Sequence, residues 1–147
     1  MINIRPATLE DYPQILAWGE QFHYSCPIGK LVPWDPNSLY RRLNEYQIVL
    51  VAEVEGELAG SAAAVVAPCA NNDAYLMGAE MFWWIDVKHR GGGAGRALMD
   101  ALEVEAKSHG CHFLSMMCFE GDNRELLDAV YRKRGYVPTE HAYVKRF

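Results

Sequence analysis

Four glycines, Gly91, Gly92, Gly93 and Gly95, stand between the basic triplet Lys88-His89-Arg90 and a further cation, Arg96. Upstream lies Met81-Phe82-Trp83-Trp84-Ile85, an apolar aromatic run too short for a helix core, which reads as a strand buried on both faces. Downstream, Arg96 to Glu103 is a strong helix former with Leu98, Ala101 and Leu102 at helical spacing. A strand, a glycine turn and a helix start together present backbone N–H groups to an anion. Glycine reaches the conformations in which successive N–H groups converge, and the helix dipole adds partial positive charge there.

Spacing decides which anion. A P-loop closes on Gly-Lys-Ser/Thr, and no such triplet follows here. A dinucleotide fingerprint needs a third glycine, but that place holds Arg96 counted from Gly91 and Gly93, and Leu98 counted from Gly93 and Gly95. The pattern that fits is Arg90-Gly91-Gly92-Gly93-Ala94-Gly95, an instance of Arg/Gln-x-x-Gly-x-Gly/Ala. It resembles the pyrophosphate loop of the GNAT superfamily, the acyl-coenzyme-A-dependent N-acyltransferases. The competing reading is a tight strand-to-helix turn that binds nothing.

The elements that must hold this loop can be followed along the chain. Ile2 to Arg5 reads as an opening strand ended by Pro6, and Thr8 with Asp11 as the cap of a first helix carrying Tyr12, Ile15, Leu16, Gly19 and Phe22. Residues 23–34, with Pro27, Gly29 and Pro33, cannot form one regular element. Asp35-Pro36 opens a short helix through Leu43, and Ile48–Ala52, Glu55-Gly56 and Leu58–Val66 read as a hairpin followed by a loop from Pro68 to Asp73. The helix after the glycine turn stops at His109-Gly110, and His112–Phe119 is strand-like, which implies parallel pairing by a right-handed crossover. Asp122-Asn123 caps a last helix ending at Gly135, and Tyr136-Val137 with Ala142–Phe147 would close the sheet. The expected architecture is a single α/β domain over residues 1–147, a mixed sheet of about six to seven strands flanked by about four helices.

The resemblance extends over this order. The opening Ile-Arg-Pro-Ala-Thr, the hairpin at Glu55-Gly56, the Arg90 loop and Tyr131-Arg132-Lys133-Arg134-Gly135-Tyr136, similar to the common tail Tyr-x-x-x-Gly-Phe/Tyr, follow the family's sequence. It implies an N-acetyltransferase that moves an acetyl group from acetyl-CoA to a primary amine by direct attack. The acceptor would be a small molecule or the amine of a peptide or protein, its choice shaped by residues 23–46. It further implies that Arg90, Gly91, Gly92, Gly93, Ala94, Gly95 and Arg96 hold the coenzyme's diphosphate, while backbone groups near Ile85 and Val87 pair with its pantetheine arm. Tyr131, by family position, would protonate the departing thiolate, against the reading that it packs beside Leu127. Asn123 departs from the pattern. It lies eight residues before Tyr131, where the family often has Asn seven before, so it is a helix cap first and a coenzyme contact second.

Glu80 is the candidate base. Simple alternation places Glu80, Phe82, Trp84 and Asp86 on one face, where aromatic neighbours would desolvate the carboxylate and raise its pKa toward neutrality. The alternative is a strand-end glutamate in a surface ion pair. Asp86 reads as a solvated or capping residue.

Composition bounds the rest. Half of the 147 residues are hydrophobic and the formal net charge is −5, so a packed core is expected and nucleic acid is disfavoured as a partner. Basic residues nonetheless gather at Lys88, Arg90, Arg96, Arg132, Lys133 and Arg134, a local spot suited to a small polyanion. Cys26, Cys69, Cys111 and Cys118 lack metal-ligand spacing, so free thiols and no metal are expected. No membrane-length apolar run or signal-peptide core is visible, and a cytoplasmic protein is expected. Exposed strand ends leave a homodimer open. A coenzyme-binding module without turnover is the rival from another functional class.

Overall fold

The computed structural model describes residues 1–121 and 123–147; Asp122, expected to help cap the last helix, lies outside the described residues. Five strands form one sheet in the order β1 (Ile2–Pro6), β2 (Ile48–Val54), β3 (Glu57–Cys69), β4 (Asn72–Ile85) and β5 (Phe113–Ser115). The first four pair antiparallel and β5 joins β4 in parallel. Among the described residues the α-helices are α1 (Tyr12–Ser25), α2 (Pro36–Leu43), α3 (Ala94–Ser108) and α4 (Arg124–Lys133). The order β4, α3, β5 supplies the crossover that parallel pairing needs.

Local chemistry accounts for the boundaries. Glu55 (φ 50°) and Gly56 (φ 83°) turn β2 into β3, both with positive φ, as a two-residue hairpin matched to strand twist requires. The Asp35 carboxylate accepts the Asn37 N–H (3.0 Å) and the Ser38 hydroxyl (2.8 Å), and Pro36 occupies the first turn of α2. Alanines at 62, 63 and 64 in β3 let helices approach both faces of the sheet. On one face Ile48, Leu50, Ala52, Ala62 and Ala64 pack against Leu98, Leu102 and Ala106 of α3. On the other, Val51, Ala63 and Phe82 pack against Tyr12, Ile15 and Leu43 from the α1–α2 layer.

The strand count differs from expectation. Residues 136–147 carry no ladder, and Val137, Tyr143, Val144 and Phe147 are exposed. Alternating apolar residues supply a pattern for a strand, but a strand also needs a partner edge. The expected loop at Pro68–Asp73 is largely strand, since β3 runs to Cys69 and β4 starts at Asn72. His23, Tyr24 and Ser25 form the last turn of α1, and a 3-10 turn over Pro27–Lys30 follows.

Arg5 ties β1 to the entry of α1. Its guanidinium donates to both oxygens of Asp11 (2.7 and 2.9 Å) and to Glu53 (2.9 Å), while Asp11 also accepts the Thr8 N–H at 2.7 Å. The Arg5 hydrogen bond holds the buried Asp11 carboxyl below its ordinary range. A depressed carboxyl contributes stability that is full above about pH 4 and is lost as pH falls through the folded-state value. Asp11→Asn should therefore cost about 1–3 kcal/mol at pH 7 and much less near pH 3, read from urea unfolding at the two pH values.

Candidate active site

The site begins with one extra residue in β4. Ala63 stands opposite Phe82 and Ala64 opposite Glu80, so Met81 is a β-bulge and alternation breaks there. Ala63 and Phe82 belong to the α1–α2 face, whereas Ala64 belongs to the α3 face. Glu80 therefore does not share a face with Phe82 and Trp84, as an unbroken strand would require. Its burial has another origin. The β4–β5 ladder covers only Met77–Ala79 against Phe113–Ser115, and just beyond it the Met117 N–H donates to Glu80 Oε2 at 2.8 Å. A carboxylate takes up the strand that would otherwise diverge with an open amide.

The same Met117 residue offers its carbonyl to Tyr131, whose hydroxyl donates at 2.8 Å. Glu80 and Tyr131 thus meet through one residue at the point where two parallel strands separate. Glu80 is 4 % exposed and has no cationic partner among the described residues, which removes the surface ion-pair reading. Burial pushes its carboxyl up to about 7, opposed only by the Met117 N–H. Tyr131 is also buried; loss of water first, then the charge of Glu80, raises its phenol above the ordinary value. The phenol keeps its proton and remains a donor.

The glycine turn follows within a few residues. Asp86 accepts the Trp18 Nε1–H at 3.0 Å and the Lys88 N–H at 3.1 Å, capping a 3-10 turn over Val87–His89. The Trp18 bond is the main cause that holds its carboxyl below the usual range. Gly91 (φ 82°) and Gly93 (φ 95°) adopt left-handed backbone, and Gly93 occupies the N-cap of α3. Among the described residues, no backbone N–H from Gly91 to Arg96 donates to a protein acceptor. A Cβ at Gly91 would meet nothing within 4 Å, so the mouth of this amide array is open. At Gly95 a Cβ would lie 3.4 Å from Ile85 Cγ1, and Trp83 Nε1 donates to the Gly95 carbonyl at 3.1 Å, which seats the helix start against β4.

The charged residues divide. Arg96 is exposed at the helix start with no carboxylate partner among the described residues. Arg90 turns back onto the strand end: its Nε donates to the Ile85 carbonyl (3.1 Å) and its guanidinium lies 4.7 Å from the Trp84 ring centroid. Lys88 pairs with Glu57, Arg132 with Asp128, and Arg134 with Asp100 and Glu103 of α3. Two of the three cations at 132–134 therefore hold the fold rather than face the turn. Asn123 sits at the N-cap of α4, but only its carbonyl serves there, accepting the Leu127 N–H at 3.0 Å; the expected side-chain cap is not made.

One component escaped the sequence reading. A cavity of about 140 Å³ lies between the α1–α2 layer and the sheet, walled chiefly by Trp18, Phe22, Trp34, Phe82, Trp84 and Phe119. The available signal was Trp18 and Phe22 four apart on α1, facing the Phe82–Trp84 pair across the bulged strand. Trp84 Nε1, closed to solvent, has no hydrogen-bond partner among the described residues. All four cysteines are free, and no cluster of three potential metal ligands occurs among the described residues. No helix among them is long and apolar enough to cross a membrane.

Comparison with known proteins bears on the family and the fold. Residues 11–136 match the model of the Acetyltransferase (GNAT) family. No curated protein sequence matches the chain. Among solved structures, a ribosomal-protein-alanine N-acetyltransferase from Brucella melitensis biovar Abortus 2308 superposes with a TM-score of 0.79 at 20% identity, covering 99% of each chain. A predicted acetyltransferase from Clostridium acetobutylicum, solved with acetyl-CoA, gives 0.71 at 20% identity over 99% of this chain and 96% of its own. Glucosamine-6-phosphate N-acetyltransferase from Arabidopsis thaliana gives 0.69 at 19% identity over 100% and 99%. At such identities the likeness concerns the fold, while the family match spans the bulged strand, the glycine turn and Tyr131: the chain belongs to the GNAT family of acetyltransferases.

Proposed function

We propose that this protein is an acetyl-CoA-dependent N-acetyltransferase that acts on a primary amine by direct transfer, without an acyl-enzyme. The observation that carries the reading is the run of amides from Gly91 to Arg96, which lack acceptors and open outward at the start of α3. Converging N–H groups at a helix N-terminus fit a diphosphate, and the exposed Arg96 adds charge beside them. Arg90 contributes by shaping the turn through Ile85. The Val87 N–H, which has no protein acceptor among the described residues, and the strand edge near Ile85 suit the amides of a pantetheine arm.

Acetyl-CoA would supply the activated acetyl group; the protein must remove a proton from the amine and return one to the thiolate. Glu80, poised near neutrality by burial, is the acceptor for the first proton, with a water as relay. One of its oxygens is held by Met117 and the other is left for this task. Tyr131 is the donor for the second. The proton would pass to the sulfur as the carbon–sulfur bond breaks, the phenol recovering a proton from water, and the bond to Met117 holds the hydroxyl at one place. On this reading the protein works in the cytoplasm, and the acceptor is a small molecule or a peptide or protein amine.

Calorimetry with acetyl-CoA should show saturable binding, and absence of saturation with folded protein would overturn the proposal. Gly93→Ala places a side chain at φ 95°, at a cost of about 1–2 kcal/mol, and should weaken coenzyme binding at least about tenfold by distorting the amide array. Tyr131→Phe should lower kcat while coenzyme affinity persists; unchanged kcat removes Tyr131 from the mechanism. Glu80→Gln should flatten the limb of the pH–rate profile that rises through about pH 7. The same substitution tests stability. A carboxyl raised in the folded state gives stability that is full below about 4.5 and is lost as pH rises through 7, so the Gln variant should lose the decline between those values in urea unfolding.

A further inference from the structure

The end of the chain stands apart from the body. Residues 137–147 are all exposed, and their backbone groups make no hydrogen bond to the described residues. Tyr136 is the last anchored residue, its hydroxyl donating to Glu103 of α3 at 3.0 Å. Pro138 then fixes its own φ and biases Val137 toward extended backbone, so the arm leaves the body extended. Within the arm Lys145 Nζ lies 5.8 Å from the Phe147 ring centroid, which puts residues two apart on one side, as in a strand. Tyr143 shares that side by the same period. The body carries a matching edge. β5 pairs with β4 on one side and with no strand on the other. From Phe113 onward the side chains alternate: Leu114 and Met116 pack into the α3 layer, whereas Phe113, Met117 and Phe119 stay exposed on the opposite face. Phe113 also stacks on the exposed Tyr75, with ring centroids 6.2 Å apart. An open strand edge flanked by exposed aromatics is a template for another strand.

We propose that this edge is taken by the arm of a second copy of the chain: residues 142–147 of each protomer add a strand to β5 of the other, in a reciprocal exchange about a two-fold axis. Area supports the exchange. An aromatic side chain buries roughly 150–250 Å², so Tyr143 and Phe147 of two arms bring about 600–1,000 Å². The surface they cover loses a similar amount, for a total of about 1,200–2,000 Å², the size of a stable interface. Charge supports it as well. Residues 142–147 hold Lys145 and Arg146 and no acid, in a chain of net charge −5, so each arm meets an acidic partner. Pairing of the two arms with each other would leave Phe113 and Met117 in water; pairing with β5 covers them and sets aromatic side chains across adjacent strands. The added strand also runs along the segment whose Met117 holds both Glu80 and Tyr131, so the second copy steadies the cleft of the first.

Sedimentation equilibrium on three proteins tests the exchange: the full chain, a chain ending at His141, and Phe113→Lys, which keeps the arm but places a charge on the edge. The full chain should have twice the mass of one chain at micromolar concentration. Each variant should be monomeric and keep the helical circular dichroism of the full chain, since the arm touches nothing in the body and Phe113 is exposed. Mixed in equal amounts, the two variants should form a weaker dimer held by one exchange, the arm of the Phe113→Lys copy lying on the intact edge of the shortened copy. A monomeric full chain overturns the proposal, because the arm then has no second copy to join. A shortened chain that stays dimeric places the interface elsewhere and overturns it too. A Phe113→Lys chain that dimerises as tightly as the full chain, or variants that fail to combine up to their solubility limit, shows that the β5 edge is not the docking site.

Discussion

A ladder that ends early governs this molecule. β4 is 14 residues long and β5 only 3, so the sheet has a cleft wherever β4 continues alone. Left open, the Met117 amide just beyond the ladder would lack a protein acceptor, a cost of the order of a lost hydrogen bond where water does not reach it. The bulge at Met81 resolves this by letting Glu80 reach the Met117 N–H. The cost is a carboxyl held away from water, which raises it to about 7. The end of the ladder and the titration of Glu80 have one cause.

The charges show a similar economy. An acidic chain needs few cations to bind a small polyanion, provided that they are not neutralised at home. Arg134 and Arg132 are taken by α3 and α4 carboxylates, and Lys88 by Glu57. What remains at the turn is the partial charge of aligned amides, with Arg96 beside them. The backbone dipoles at this end of the sheet are fixed by glycine geometry rather than by side-chain rotamers.

Much of this was legible in the sequence where a local rule suffices. Glu55-Gly56, Asp35-Pro36 and the strand-to-helix turn at Gly91–Gly95 each depend on the conformational preferences of a few adjacent residues, and each stands where those preferences place it. What was not legible depends on partners distant in the chain. Alternation cannot count an inserted residue, so the face of Glu80 was misread although its burial was anticipated. The tail at Ala142–Phe147 has the pattern of a strand but pairs with none. The aromatic cavity draws on α1, the segment around Trp34, β4 and Phe119, and none of these pieces announces a concavity alone.

One indole joins the two halves of the site. Trp84 carries the Arg90 guanidinium over its ring and meets Phe22 at its edge, so the residue that braces the glycine turn also forms a wall of the aromatic cavity. The turn and the cavity are thereby mechanically geared. A lineage that reshapes one compartment through this tryptophan must re-tune the other in the same step.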